Sequence, residues 1–382
     1  MVFDEYDFEF LRLCGLCRYV PTGLRRKFDS PYFSPPVIYT LRSNGYVKMQ
    51  SDKTSYKLTF AGKEALAEMG YTFPEDAKTD IKKRSYQRKM KSALFNITLH
   101  LAEIDIFADK TAQLSEKETG YVSSLILRSD TNIRVLAGTR FLGLLKLFET
   151  VYIPYYLESQ QDWIIPKHES EIYKAQVNAI KGVKDIKLIL TGDTLEEIWK
   201  NIHPMNESQI IEKGMRRFDE ALEELGCDYS LVPVSRDGVE QLSVMRIWRY
   251  REKIAKAIGC NIDKVYNLSE CDGFQENTPY IIAIDFNVKR ILRALKQVER
   301  YDKNIVPKLC CLPFQKRTLI KLLREHKIQN SMVLALDIHN LYRNVLKEYM
   351  ITPIEQKPYE KEGGTYISAN QRKITKANNK EL

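Results

Sequence analysis

At Gly45 the hydrophobic period of the chain changes, and this change constrains the fold more than any other feature of the sequence. Before it, Ser34-Pro35-Pro36 opens a segment in which Val37, Ile38 and Leu41 recur at helical spacing, with Ser34 placed as N-cap and Asn44-Gly45 supplying the left-handed stop. After it, Tyr46 to Met49 and Ser55 to Thr59 alternate on either side of the polar turn Ser51-Asp52-Lys53-Thr54, which is the pattern of a hairpin. Upstream, Phe8, Leu11, Leu13 and Leu16 line one side of a first helix, and the chain breaks at residues 20–23. Thr22 is placed to cap a short helix over residues 23–28 that carries Arg25, Arg26 and Lys27, followed by a loop over residues 29–33. Thr59 caps a closing helix that runs to Gly70. Three helices, a hairpin and a closing helix predict a small α+β module over residues 1–73.

Charge is distributed unevenly along the 382 residues, and its placement says more than the net +9. Residues 20–63 hold eight basic side chains against two acids, Asp29 and Asp52. Residues 82–91 hold six basic side chains (Lys82, Lys83, Arg84, Arg88, Lys89 and Lys91) and no acid. The rest of the chain is nearly balanced, so the excess forms a footprint suited to a polyanion. No apolar run approaches the roughly 20 residues of a membrane span, and the acidic start MVFDEYDFEF is unlike a secretion signal, which predicts a cytoplasmic protein with no membrane partner. The seven cysteines are scattered and odd in number, as in a reduced protein. Cys14 and Cys17 form a CxxC without a second pair, so they read as buried apolar positions and not as metal ligands.

The stretch LRSNGYVKM…SYKLTFAGKEAL resembles the winged helix-turn-helix domain, and the resemblance covers about the first 70 residues. It implies that the third helix enters the major groove of double-stranded DNA and that the hairpin, the wing, reaches a flanking groove. Carried onto this chain, Tyr39, Thr40, Arg42 and Ser43 face base edges, and Lys48, Lys53 and Lys57 meet phosphates. Arg42 can pair bidentately with guanine, but the helix has no central Asn or Gln to read adenine, so specificity is modest or comes from a homodimer. A protein-contact module with merely solubilising lysines is the alternative.

Residues 74–114 read as a hinge and a long helix from Asp80 to about Phe107, whose Met90, Leu94, Ile97, Leu101 and Ile104 pack on protein while its basic start suits phosphate contact. Residues 115–352 alternate strands and helices and predict an α/β domain, a sheet covered by helices. Strands are expected at 140–147, 151–157, 185–190, 229–234, 278–285, 308–312 and 332–337, with helices at 169–181, 194–203, 207–225, 241–258, 288–298 and 315–326. Residues 353–382 lose periodicity and read as a flexible charged tail. The overall expectation is α/β, with an α+β module and a basic connecting helix in front.

Known catalytic patterns are missing from this larger region. There is no phosphate loop, no Gly-x-Gly-x-x-Gly after a strand and no Gly-x-Ser-x-Gly elbow, and the five histidines include no His-hydrophobe-His pair. What remains are strand-end acids, Asp193, Asp285 and Asp337, which could hold Mg²⁺ in a metal-dependent nuclease if they converge. Glu169, Glu171 and Lys174 fit an acid-x-acid-lysine nuclease pattern poorly, since they open a helix.

The order of winged helix, basic helix IKKRSYQRKMKSALFNITLHLAEIDIF and divergent α/β half resembles the replication-relaxation proteins of bacterial plasmids and integrative conjugative elements, specifically through about residue 107 and loosely beyond. That implies a DNA-binding accessory to replication, relaxation or conjugative transfer of a mobile genetic element, or a local transcription regulator, with a relaxase or replication initiator as partner and no cofactor. The acidic strand motif that some members carry is not recognisable here, which speaks against catalysis. An adaptor that recruits a partner protein to DNA is a further alternative.

Overall fold

The computed structural model describes residues 2–74, 84–130, 139–157, 166–202, 226–263, 268–337, 340–341, 359–362 and 365–368. The chain is mixed α/β and divides into two compact units, residues 1–97 with 351–382, and residues 98–350. No helix among the described residues is long and apolar enough to cross a membrane.

In the first unit a two-residue strand β1 (Val2–Phe3) precedes helix α1 (Glu5–Cys17). Asp4 caps α1 by accepting the Asp7 N–H at 2.7 Å, and Arg18, at φ 64°, ends it. Phe8, Phe10, Leu11, Leu13, Cys14, Leu16 and Cys17 are all buried, so α1 is the central helix of the unit rather than a surface helix with one apolar face. Around it run β2 (Val20–Pro21), α2 (Leu24–Phe28), a 3-10 turn (Pro31–Phe33), α3 (Pro35–Ser43), β3 (Val47–Met49), β4 (Ser55–Leu58) and α4 (Phe60–Glu68). The three strands form one sheet in the order β2-β4-β3.

Several local expectations are corrected here. Residues 20–21 are a strand, not a break, with Val20 opposite Tyr56. Thr22 does not cap α2, whose N-cap is Gly23 at φ 78°; its hydroxyl donates instead to the carbonyls of Lys53 and Thr54, tying the chain to the hairpin turn. Ser34 precedes α3 without a side-chain cap bond, and Pro36, at the second helical position, has no N–H to offer it. Thr59 caps α4 as expected, accepting the Gly62 N–H at 3.2 Å.

Helix α5 (Arg84–Leu101) is shorter than the expected 80–107, and Asp80 lies outside the described residues. Its Tyr86 is buried, with the hydroxyl 2.6 Å from Ser55 Oγ and 2.8 Å from Thr54 Oγ1 and the ring edge-on to Tyr19.

The second unit holds two sheets where a single one was expected. Strands β5 (Thr119–Ser123), β6 (Gly143–Leu147) and β7 (Thr150–Tyr156) form an antiparallel meander, with α6 (Ser124–Asp130) between the first two. After α7 (Pro166–Asn178), β8 (Asp185–Gly192) joins parallel to β7; after α8 (Leu195–Ile202), β9 (Tyr229–Pro233) joins parallel to β8. The expected helix over 207–225 lies outside the described residues. The expected helix over 241–258 is two helices, α9 (Arg236–Met245) and α10 (Tyr250–Ala257), separated where Arg249 takes a left-handed φ of 55°.

The other sheet has the order β10-β11-β12-β13, formed by β10 (Gly273–Gln275), β11 (Thr278–Ile282), β12 (Lys308–Cys311) and β13 (Met332–Ala335). Its last three strands are parallel, with α11 (Val288–Tyr301) and α12 (Lys316–Glu325) as crossovers. An isolated bridge joins Ser230 of β9 to Asn287, the N-cap of α11.

At the start of α9, a Cβ built on Gly238 would lie 1.7 Å from the Pro233 carbonyl oxygen, so helix and strand approach as closely as a bare backbone permits. Gly238→Ala must push α9 off β9, and we expect it to cost about 1–3 kcal/mol in a urea unfolding experiment, the range for overpacked positions.

The chain then returns to the first unit. Residues 359–368, read above as flexible tail, contain strands β14 (Tyr359–Glu362) and β15 (Thr365–Ser368), and β14 pairs with β1 through Val2–Glu360 and Phe3–Tyr359. The charged composition conceals a hairpin signature, Gly363-Gly364 between two alternating runs.

Candidate nucleic-acid interface

Helix α3 buries Val37 and Leu41 and turns its other side to solvent. Tyr39, Arg42 and Ser43, three and four residues apart, share that exposed face, and Tyr39 is 74% exposed, unusual for a large aromatic ring. Thr40 is half-buried. On α2, Arg25 and Arg26 are exposed and Lys27 is half-buried.

In the hairpin, Lys53 sits at the tip with a φ of 59°. The turn is organised by Asp52, whose carboxylate accepts the Thr54 N–H at 3.1 Å and the Thr54 hydroxyl at 2.7 Å. One of the two acids of residues 20–63 is thereby committed to holding the tip in shape.

Lys48 and Lys57 occupy a different place. They are direct cross-strand partners, and both line a cavity of about 500 Å³ with Arg18, Tyr19, Phe60 and Lys63; no residue of α3 contributes to it. Phe60 is 76% exposed there. Sequence reading did not single out Arg18, Phe60 or Lys63 as site residues, because the cavity is assembled from α1, the sheet and α4.

On α5, Lys82 and Lys83 lie outside the described residues and Arg84 opens the helix. Arg88 is exposed, Lys89 and Lys91 are half-buried, and Lys89 Nζ stands 5.9 Å from the Tyr19 ring centre. Tyr86, bonded to Thr54 and Ser55, fixes the basic start of α5 beside the hairpin. This positioning role was not legible in the sequence, where Tyr86 is one tyrosine among 22.

The strand-end acids of the second unit do not converge. Asp193 is exposed after β8 and accepts the Tyr156 hydroxyl at 2.8 Å. Asp285 and Asp337 follow β11 and β13, which β12 separates, a gap of about 10 Å from two strand spacings. Asp337 is exposed and accepts the Asn340 N–H at 3.3 Å and its side-chain amide at 2.9 Å. Glu171 and Lys174 are exposed on α7, which also contains Glu169. Strands β6 and β7 carry no carboxylate. Among the described residues no group of three or more His, Cys, Asp or Glu side chains could hold a metal ion. Cys14 and Cys17 are buried, and burial pushes both thiols up, Cys17 to about 12.

Asp285 instead anchors a buried ionic network. It is 1% exposed; Arg251 Nη2 donates to it at 2.5 Å, and Arg290 Nη2 stands 3.8 Å away. Arg290 also donates to Asp272 at 3.1 Å and to the Ile282 carbonyl. Nearby, Arg293 grips Asp228 with bonds of 2.8 and 2.9 Å, and Asn287 donates to the same carboxylate. Burial on its own would raise the Asp285 pKa, but the Arg251 and Arg290 charges outweigh it and hold the carboxyl down to about 2. A carboxylate already neutralised by two guanidiniums is a structural anchor and a poor cation ligand.

No family model, curated protein or solved structure matches this chain.

Proposed function

We propose that the first unit is a winged helix-turn-helix that binds double-stranded DNA, with α3 as the helix that enters the major groove and the β3–β4 hairpin as its wing. The observation that carries this reading is the exposed face of α3, where Tyr39, Arg42 and Ser43 stand free of neighbouring acids in sequence while Val37 and Leu41 hold the helix on the core. Two features support it. The wing tip carries Lys53, and the basic start of α5 is tied to the wing through Tyr86. Lys48 and Lys57, direct cross-strand partners, add two further cations to the wing.

Arg42 is the one side chain on α3 suited to bidentate base reading, so most of the affinity resides in phosphates and sequence discrimination is modest. The setting we propose is an accessory to replication, relaxation or conjugative transfer of a bacterial mobile element, or local transcription control, in the cytoplasm. A relaxase or replication initiator is the proposed partner, and the reading includes no catalytic step.

The test is a mobility-shift titration on a mixed-sequence duplex with the full chain carrying Arg42→Glu and Lys53→Glu. Both positions are exposed, so the circular dichroism spectrum is expected to stay that of the unmodified chain while duplex retention is lost. Retention at unchanged protein concentration overturns the proposal.

A further inference from the structure

The four-stranded sheet of the second unit has two edges, and they differ. The outer side of β10 is covered, because Asn261 and Phe274 exchange both main-chain bonds at 2.8 Å. Among the described residues the outer side of β13 is open. Met332 and Leu336 donate to Pro307 and Cys311 on the β12 side, so the alternation of a strand turns the Val333 and Ala335 amides and carbonyls away from β12. Among the described residues no main-chain hydrogen bond is formed to that outer side.

This edge also lacks the devices that normally protect one. The sequence Met332-Val333-Leu334-Ala335 has no lysine, proline or other charge, Met332 is 49% exposed and Ala335 is exposed. Beside the strand lies a groove of about 670 Å³ whose apolar wall is Ile320, Leu323, Ile328, Met332 and Val333. Cations rim it: Arg324 and Lys327 line the same groove as Ser331, just before the strand, and its described lining residues include no acid. An exposed acid, Asp337, stands just past the other end of β13.

Open amides, an apolar strand, a cationic start and an acidic end make a self-complementary surface. We propose that β13 pairs antiparallel with β13 of a second copy of this chain about a two-fold axis through Leu334, joining the two four-stranded sheets into one. Only registers that set outward-facing residues opposite each other can form main-chain bonds. The register centred on Leu334 does so, setting Val333 of one copy against Ala335 of the other so that each pair exchanges two bonds. Opposed residues of an antiparallel pair lie on the same sheet face. Asp337 of each copy therefore falls opposite Ser331 of the other, on the face where Arg324 and Lys327 rim the groove. Such an interface is isologous, the commonest form of homodimer contact. The contact is independent of the DNA-binding reading and names the surface a dimeric form of the protein would use.

The test is sedimentation equilibrium of the full chain over a concentration series, with amide hydrogen exchange on the same samples. Reversible dimerisation is expected, with the Val333 and Ala335 amides protected only as dimer accumulates. Val333→Pro removes one of the paired donors at an edge position where proline is tolerated, and Ala335→Lys places a charge on the pairing edge; each is expected to leave a folded monomer. Val333→Thr, which keeps the backbone donor and the β-branch, is expected to dimerise like the unmodified chain. Asp337→Lys is expected to weaken the dimer by about tenfold, and combining it with Lys327→Asp to restore it. A chain that is monomeric at every concentration overturns the proposal, as does a dimer that Ala335→Lys leaves intact. Protection of Val333 and Ala335 that does not depend on concentration also overturns it, since the edge would then be covered from within the chain.

Discussion

Asp285→Asn is expected to lower the stability of the second unit by about 3–5 kcal/mol, the range for breaking a buried ion pair by removing one partner. The substitution keeps the shape of the side chain, removes its charge and turns one acceptor oxygen into an N–H donor, leaving Arg251 and Arg290 facing each other without their shared anion. Thermal denaturation followed by circular dichroism should show the midpoint falling by on the order of 10 °C for a unit of this size. Combining Asp285→Asn with Arg251→Gln should cost less than the sum of the two single changes, because the second removes the charge that the first leaves stranded. Equal and additive losses would mean that the pair contributes no coupling. The pH dependence has a definite sign. Since the folded carboxyl is held down to about 2 and the free side chain titrates near 3.8, the contribution is complete above about pH 4 and is lost as the pH falls through about 2. The difference in stability between the unmodified chain and Asp285→Asn should therefore shrink across that window.

The second large effect concerns salt. If duplex affinity comes mainly from phosphate contacts, raising the salt concentration from about 50 to about 200 mM should weaken binding by about 10³–10⁵-fold for roughly six to ten neutralised phosphates. The cations available for this include Arg25, Arg26, Lys48, Lys53, Lys57 and Arg88 together with the rest of the basic run at residues 82–91. Replacing Lys48 and Lys57 by methionine should reduce the slope of log affinity against log salt by about two, with little change in preference among duplex sequences. Replacing Arg42 by methionine should instead flatten the preference. A slope near zero would show that phosphates do not dominate, and the proposed interface would fail on that measurement alone.

Much of the first unit was legible because its signals are local. The change of period at Gly45, the prolines that open α3 and the Thr59 cap each act within a few residues. Strand β2 was missed because it is only two residues long and ends in Pro21; its pairing with Tyr56 and Ser55 is a tertiary decision. The same is true of β5, whose antiparallel partner β6 lies on the far side of α6. The break between α9 and α10 was missed because the apolar spacing continues through Arg249, whose left-handed backbone angle turns the chain.

The candidate acids show the limit most clearly. Asp285 was identified as a strand-end carboxylate, but Arg251 lies 34 residues away in sequence and reaches it only after α10 has packed beneath the sheet. The chemistry of a carboxylate is set by such neighbours, and they invert its meaning here from open ligand to neutralised anchor.

The pairing of β1 with β14 has a consequence for the order in which the molecule can be made. Residues 2–3 are synthesised well before residues 359–362, so the sheet that joins them cannot close until everything between them has been made. Until β14 has been made, β1 waits without this partner while residues 98–350, a compact unit of their own, are already complete. The first unit is therefore begun before the second and completed after it, and a messenger truncated anywhere before residue 359 would yield a protein in which β1 lacks this partner.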